Sequence, residues 1–499
     1  MAGVISQPVA AQDGLGDAGP KRTIAIVPRV SVTETLTDNV RLSAVGQSEQ
    51  ITEISPGIRI VGEGARVKGY FDYAINGRMY AQNTSGANLQ SALTTFGTVE
   101  AVSNWAFVDF SGSISQQAIS ALGTQSGSSA NLNSNSTQSS TYRLSPYLRG
   151  QLANVANYEA RYSVASTRST SGFVSDAMTR DALVNLSGRG NGSRLGWSVA
   201  LGRQSIGYGT GRVTESGSLT GQLLYAIQPK LNLSITAGQE SNNYTSVDTQ
   251  TYGTSGLGIT WAPSEATTFS ASRQTHSYGQ SHTLSFDHRT TRTAWRFSDS
   301  QSVTATPSQP GSTNLGSAYD LYFAQFASVE PDLVKRAALV SNFLQANGIS
   351  PATSVVSGFL TSAVSLQRRQ DLSFTLLGVR DTVTFLASRS ENSRLDTVTG
   401  VTDDLSNASL IRQGGLSISY AHRLTPNAAM NILAAVQQSS SSSPTAGLQE
   451  TNSKSINLSV STKVGLRSSA VLSARHVVFD STTTPYTESA ISGTFNLQF

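Results

Sequence analysis

The sequence predicts an all-β fold, a closed antiparallel transmembrane β-barrel of about 22 strands (18–22), and three observations predict it. The first is the carboxy-terminal stretch, residues 487–499. Read with period two, Ile491, Gly493, Phe495, Leu497 and Phe499 share one face, while Glu488, Ala490, Ser492, Thr494, Asn496 and Gln498 share the other. Chain ends fray unless something ties them down, so an ordered half-apolar strand that ends on an aromatic residue implies a partner. A barrel supplies one, because its last strand pairs with its first. Phe495, Leu497 and Phe499 then read as a membrane-assembly signal, recognised by barrel-assembly machinery. The last strand of a soluble β-sandwich is the competing reading.

The second observation is composition. The 499 residues include no Cys, only 13% charged residues and 43 Gly, with 38% hydrophobic residues. That apolar share is below the roughly 45–50% of an ordinary globular domain. Ser, Thr, Asn, Gln and Gly stand where a soluble protein carries surface charge. Small apolar residues facing lipid and neutral polar residues lining water produce this balance in a wide barrel. Disorder or a β-solenoid would share it, but no repeat of 20–50 residues is visible. No run approaches the roughly 20 apolar residues of a membrane helix, so a membrane span must be made of closed strands. The absence of Cys excludes a disulfide framework and thiolate metal sites. A net charge of +4 is too slight to indicate a nucleic-acid partner.

The third observation is alternation down the whole chain. Leu195, Trp197, Val199 and Leu201 alternate with Gly196, Ser198, Ala200 and Gly202. Leu231, Leu233, Ile235 and Ala237 alternate with Asn232, Ser234, Thr236 and Gly238, and Ile456, Leu458 and Val460 with Asn457, Ser459 and Ser461. Such segments run for roughly 9–13 residues, the length of a tilted membrane strand. Short connections are expected near 62–65, 189–193, 228–229, 263–265, 378–380, 424–426 and 464–465. Longer polar ones are expected at 119–140, 240–249, 391–406 and 439–451. Short turns on one side and long loops on the other are the pattern of an outer-membrane barrel, whereas a sandwich has shorter strands and no such bias.

The elements follow in chain order. Residues 1–11 (MAGVISQPVAA) read as the tail of a secretory signal, with Val9-Ala10-Ala11 as a small-residue cleavage site, although the basic and long apolar regions are missing. Residues 1–26 are thus signal remnant and periplasmic lead-in, and 27–499 the barrel, with a first strand at 27–36. With residues 1–26 read this way, no amino-terminal plug domain is expected before Val30, which counts against an energised uptake transporter. At this strand number side chains cannot fill the lumen; it is either plugged or conducts.

One segment, 302–361, breaks the β pattern on the long-loop side. Glu330-Pro331-Asp332 reads as a helix start, Leu333, Ala337, Val340, Phe343 and Leu344 as one apolar stripe, and Gly348 as the residue after the helix end. The aromatic stretch 319–327 reads as a further helix. The insertion is a surface cap on a loop or a gate folded into the barrel mouth, and the stripe residues are the gate candidates.

Strand parity places Arg143, Arg149, Arg161, Arg296, Arg369 and Arg475 on the inward face, together with Asp72, Glu159, Asp287 and Asp371. With Tyr70 and Tyr147 between them, this mixed ladder can guide a hydroxyl-rich or anionic polymer; equally, the charges can simply pair across strands. No catalytic site is expected. His276, His282, His288, His422 and His476 lack metal-ligand spacing, and neither GxSxG nor HExxH occurs. No cofactor is expected either.

Three groups of motifs carry a family resemblance. They are Ser31-Val-Thr-Glu-Thr-Leu-Thr-Asp-Asn39 with Ile54-Ser-Pro-Gly-Ile58 and Gly69-Tyr-Phe-Asp-Tyr73; the insertion from Glu330 to Leu344; and Ser365-Leu-Gln-Arg-Arg369 with Gly378-Val-Arg-Asp-Thr-Val-Thr384. They resemble a proteobacterial family of outer-membrane proteins associated with the exosortase (PEP-CTERM) sorting system and its exopolysaccharide gene clusters. The resemblance implies a barrel in the outer membrane of a Gram-negative bacterium and a role near polymer export, with polysaccharide and membrane lipid as partners. It implies no catalytic residues. A passive porin or uptake channel and a structural or adhesive surface barrel are the alternatives.

Overall fold

In a computed structural model, the structure describes residues 24–153, 155–171, 176–189, 194–209, 213–305, 318–326, 330, 332–346, 358–395, 403–443 and 447–499. The predicted signal remnant, Pro331 and Gly348 lie outside the described residues.

The described residues form 22 strands and three short helices. The first eight strands are β1 (Ile24–Thr37), β2 (Glu49–Glu63), β3 (Val67–Tyr80), β4 (Asn88–Val102), β5 (Ala106–Ala118), β6 (Ser136–Leu152), β7 (Ala156–Ser169) and β8 (Ala177–Arg189). Next come β9 (Leu195–Tyr208), β10 (Val213–Gln228), β11 (Leu231–Asn242), β12 (Gln250–Ser264), β13 (Thr267–His276), β14 (Gly279–Arg289) and β15 (Thr293–Thr304). Helices α1 (Ala318–Gln325) and α2 (Leu333–Ala346) precede β16 (Ser365–Leu377) and β17 (Asp381–Arg394). Helix α3 (Asp404–Asn407) precedes β18 (Leu410–Thr425), β19 (Ala428–Ser443), β20 (Gly447–Lys463), β21 (Ser468–Ser481) and β22 (Tyr486–Gln498).

Every strand pairs antiparallel with its neighbours in sequence, and β1 pairs with β22, so the sheet closes on itself. Closure leaves no open edge, and every ladder group finds its partner without water. At the seam Val30 lies opposite Leu497, Val32 opposite Phe495 and Leu36 opposite Ile491. The apolar face read from the sequence points outward: Ile491, Phe495 and Phe499 are exposed, whereas Glu488 and Ala490 on the opposite face are buried. The Phe499 N–H donates to the Pro28 carbonyl at 3.0 Å and fixes the register at the periplasmic end. Deleting Phe499 is expected to lower the fraction of protein folded into outer membranes while leaving total synthesis unchanged. Immunoblots of membrane and whole-cell fractions check this; an unaltered membrane fraction removes the terminal residue from assembly.

Turns between even- and odd-numbered strands are short throughout, as at 64–66, 229–230, 265–266, 378–380 and 426–427. Short turns mark the periplasmic side of an outer-membrane barrel. Register shifts fall beside these turns, between Glu100 and Val102, Ala226 and Gln228, Trp261 and Ser264, and Arg423 and Thr425. An extra residue there bends the strand into its turn. The opposite side holds the long connections at 119–135, 305–364 and 395–409.

Two expectations fail on this side. The stretch 439–451 is mostly strand, because β19 and β20 continue as a ladder up to Ser443 opposite Gly447. Its serines looked like loop, but backbone pairing, not side-chain hydrophobicity, holds a ladder that projects beyond lipid. The insertion also begins later and ends later than 302–361, since Thr304 pairs with Ser365.

Outward faces carry the apolar belt. Leu195, Trp197, Val199 and Leu201 on β9 are all exposed, as are Ile456, Leu458 and Val460 on β20. Exposure of so many large apolar side chains in register is stable only against lipid.

Candidate functional site

The lumen is built from the other face of the same strands. The long connection between β15 and β16 starts at the extracellular rim, yet α1 and α2 pack deep inside, against residues near the periplasmic turns. Tyr70, four residues past the 64–66 turn, bonds Ser341 through its hydroxyl at 3.1 Å and packs on Val334 and Ala337. Across the lumen, Tyr322 donates to Ser419 at 3.4 Å, and Leu321, Tyr322, Val340 and Leu344 pack on Leu386 of β17. The two helices therefore bridge β2–β4 and β17–β18.

Local chemistry explains the hairpin. Asp332 caps α2 by accepting from Val334 N at 2.9 Å and Lys335 N at 3.1 Å, which satisfies two of the donors a helix start leaves open. Phe326 meets Phe343 edge-on at 5.3 Å, and Tyr322 lies 4.8 Å from Phe343. Arg336 sits 5.0 Å over the Phe323 ring, a cation–π contact. Of the gate candidates, Ala337, Val340 and Leu344 are fully buried and Phe343 is partly so, whereas Leu333 is 53% exposed. The expected stripe is thus displaced. Val334, not Leu333, begins it, because α2 touches two walls: Val334, Ala337 and Ser341 meet β3, and Val340 and Leu344 meet α1 and β17.

All ten charged residues assigned inward lie on the face opposite the exposed apolar belt, and most are paired there. Asp72 accepts from Arg29 at 2.9 Å, Arg59 at 2.9 Å and Tyr70 at 3.1 Å. Arg161 reaches Asp109 at 2.7 Å and Glu159 at 3.0 Å. Arg143 pairs with Asp181 at 2.5 Å, Arg369 with Asp371 at 2.7 Å and Arg475 with Glu488 at 2.6 Å. Arg296 and Asp287 are 3.9 Å apart.

The wall of β5–β7 has a distinct surface. Phe107 stacks on Tyr147 at 5.1 Å; Arg149 lies 4.2 Å over Phe107 and Arg161 3.9 Å over Tyr147. The rings hold both cations against the wall by cation–π contact. Aromatic, guanidinium and carboxylate groups alternate here over three strands. Phe107 and Asp109 were missed from sequence; their register opposite Tyr147 and Ser145 is a long-range fact.

Loops roof the extracellular mouth. The 119–135 loop reaches β22, where Asn131 donates to Glu488 at 2.8 Å, and β3, where Tyr80 donates to the Ala130 carbonyl at 3.0 Å. Helix α3 clamps two connections. Asp403 accepts from Thr361 at 2.6 Å and Ser362 N at 2.9 Å, and Asp404 from Ser120 at 2.9 Å and Ala121 N at 2.6 Å. Burial pushes the Asp404 carboxyl above the usual aspartate range, opposed by its bonds to the 119–135 loop.

One histidine arrangement was also missed. His276 Nε2 lies 2.8 Å from Ser281 Oγ, and its Nδ1 lies 2.7 Å from Glu240. That order of groups is the order of a hydrolase relay. An acyl transfer also needs donors aimed at the oxyanion, and the Ser277 N–H of this cluster donates to Glu240 instead, at 2.6 Å. With Tyr278 stacked on His276 at 4.9 Å, the cluster ties the β13–β14 hairpin to β11.

No family model matches the sequence, and no curated protein matches it. Solved structures do match. The FrpB iron transporter of Neisseria meningitidis (F5-1 variant, apoprotein form) superposes with a TM-score of 0.52 at 11% identity, covering 95% of this chain and 81% of that one. Its F3-3 variant gives 0.50 at 12% identity, covering 95% and 81%. The siderophore receptor PirA of Acinetobacter baumannii gives 0.50 at 8% identity, covering 95% and 80%. At these identities the likeness is one of fold, and with the apolar belt it makes this chain a 22-stranded outer-membrane β-barrel lying in membrane lipid.

Proposed function

We propose that the barrel is a non-enzymatic channel for passage or assembly of an extracellular polysaccharide, with the α1–α2 hairpin as its gate. The observation that carries this reading is the hairpin's position inside the lumen, joined to two walls by a few polar bonds and one apolar cluster each. The β5–β7 wall supports the substrate class. Guanidiniums, aromatic rings and carboxylates in alternation suit the hydroxyls of sugars and the carboxylates of acidic sugars. The resemblance of residues 31–73, 330–344 and 365–384 to exosortase-associated barrels points to the same polymer class. A null strain is expected to lose secreted polysaccharide and keep small-solute uptake. Intact polymer with impaired uptake favours the second reading, an uptake channel, for which the fold likeness to an iron transporter and a siderophore receptor speaks.

A further inference from the structure

The outward face of β15–β18 changes chemistry abruptly from one row of paired residues to the next. On the periplasmic side of the change, Trp295, Phe374, Phe385 and Ile418 stand opposite one another, and the row above holds Phe297, Leu372, Ala387 and Leu416. The third row is Asp299, Gln370, Arg389 and Gly414, and the fourth Gln301, Arg368, Glu391 and Arg412. His282 and Arg273 extend the fourth row across β14 and β13. These two polar rows lie on the extracellular side of the belt and face away from the lumen, so their surroundings are the headgroups of the outer leaflet.

The carboxylates here organise the cations without neutralising them. Arg389 and Arg412 share Glu391, at 2.7 and 3.4 Å. Arg368 and His282 share Asp299, at 2.8 and 3.1 Å. Over β15–β18 three arginines (Arg368, Arg389, Arg412) thus face two carboxylates (Asp299, Glu391), an excess of one positive charge. Arg389 and Arg412 remain 61% and 56% exposed despite their partner. A cavity of about 190 Å³ opens among Arg368, Gln370, Arg389 and Glu391, and Gly414, opposite Arg389, adds no side chain beside it. Convergent guanidiniums around a small polar recess suit a tetrahedral oxyanion, which they bind through paired N–H donors.

We propose that this patch binds the phosphate monoesters of an outer-leaflet glycolipid. The lipid is held by its acyl chains against the two apolar rows and by its phosphates against Arg368, Arg389 and Arg412. The test uses the full chain folded in detergent and reads its unfolding temperature with three additions: bisphosphorylated lipid A, the same lipid dephosphorylated, and inorganic phosphate. Only the first is expected to raise the midpoint, and R389Q/R412Q is expected to lose most of that rise. An equal rise with dephosphorylated lipid overturns phosphate recognition. An equal rise with inorganic phosphate at matched phosphate concentration overturns the lipid assignment. An undiminished rise in folded R389Q/R412Q overturns the residue assignment; should that variant not fold, the three wild-type arms decide alone.

Discussion

Excising residues 318–346 and closing the gap with a short Gly-Ser linker is expected to raise single-channel conductance severalfold in planar bilayers. The barrel does not need the segment for its ladder. Thr304 and Ser365 are directly paired, so the two ends of the insertion already lie one strand spacing apart. Inside, α1 and α2 occupy part of a lumen that wall side chains cannot fill at this strand number. Their attachment is uneven: on the β3 side a Tyr70–Ser341 bond and contacts from Val334 and Ala337, on the other a buried cluster centred on Leu386. A point substitution probes the same idea without shortening the chain. Val340 is fully buried between α1 and β17, and Val340→Asp places an unpaired charge there, at a cost of several kcal/mol. The hairpin should then detach and conductance rise part of the way. Unchanged conductance in both variants, with heat-modifiable migration intact, sinks the gate. Loss of heat-modifiable migration in the excision alone makes the hairpin a scaffold for folding instead.

How far sequence reached depended on the range of the interaction. Alternation is local, so the strand count, the outward face of residues 487–499 and the inward placement of Arg143, Arg161 and Arg475 all follow from period two. The pairing of the two chain ends was legible because only one partner was left for an unpaired last strand. Depth was not legible. The insertion belongs to an extracellular connection by parity, yet its helices sit near the periplasmic turns, where the hairpin's apolar residues pack on the wall at Phe96, Tyr70 and Leu386. Helix phase failed at Leu333 for a related reason. A stripe assumes one buried face, and α2 has two. The serines of 439–451 misled because a ladder beyond the lipid needs no apolar residue. The roof was invisible because it joins residues from distant strands around the barrel mouth, and the Ser281–His276–Glu240 cluster because Glu240 reaches His276 only through the register of β11, β12 and β13.

The largest stability effect is expected from Arg475→Ala. Glu488 is completely buried in the wall of the closing strand and accepts four hydrogen bonds from three residues in three parts of the chain. Arg475 holds both its oxygens, at 2.6 and 3.1 Å; Thr37 of β1 donates at 2.9 Å and Asn131 of the roof at 2.8 Å. Arg475 also donates to Asn131 at 3.2 Å. Because Thr37 pairs with Ala490 across the seam, this cluster joins β1, β21, β22 and the 119–135 loop where the barrel closes. Removing the guanidinium strands a carboxylate among neutral donors, and breaking one side of a buried pair costs about 3–5 kcal/mol. Replacing both members by apolar residues of similar size removes the charge as well as its partner and is far milder. Arg475→Ala should therefore lower the urea midpoint of the folded barrel strongly, and R475M/E488L should recover most of the loss. If the double variant is as unstable as the single one, the stabilisation lies in the Thr37 and Asn131 bonds rather than in charge pairing. If neither variant moves the midpoint, the seam is held by backbone ladder alone and the buried pair is a passenger.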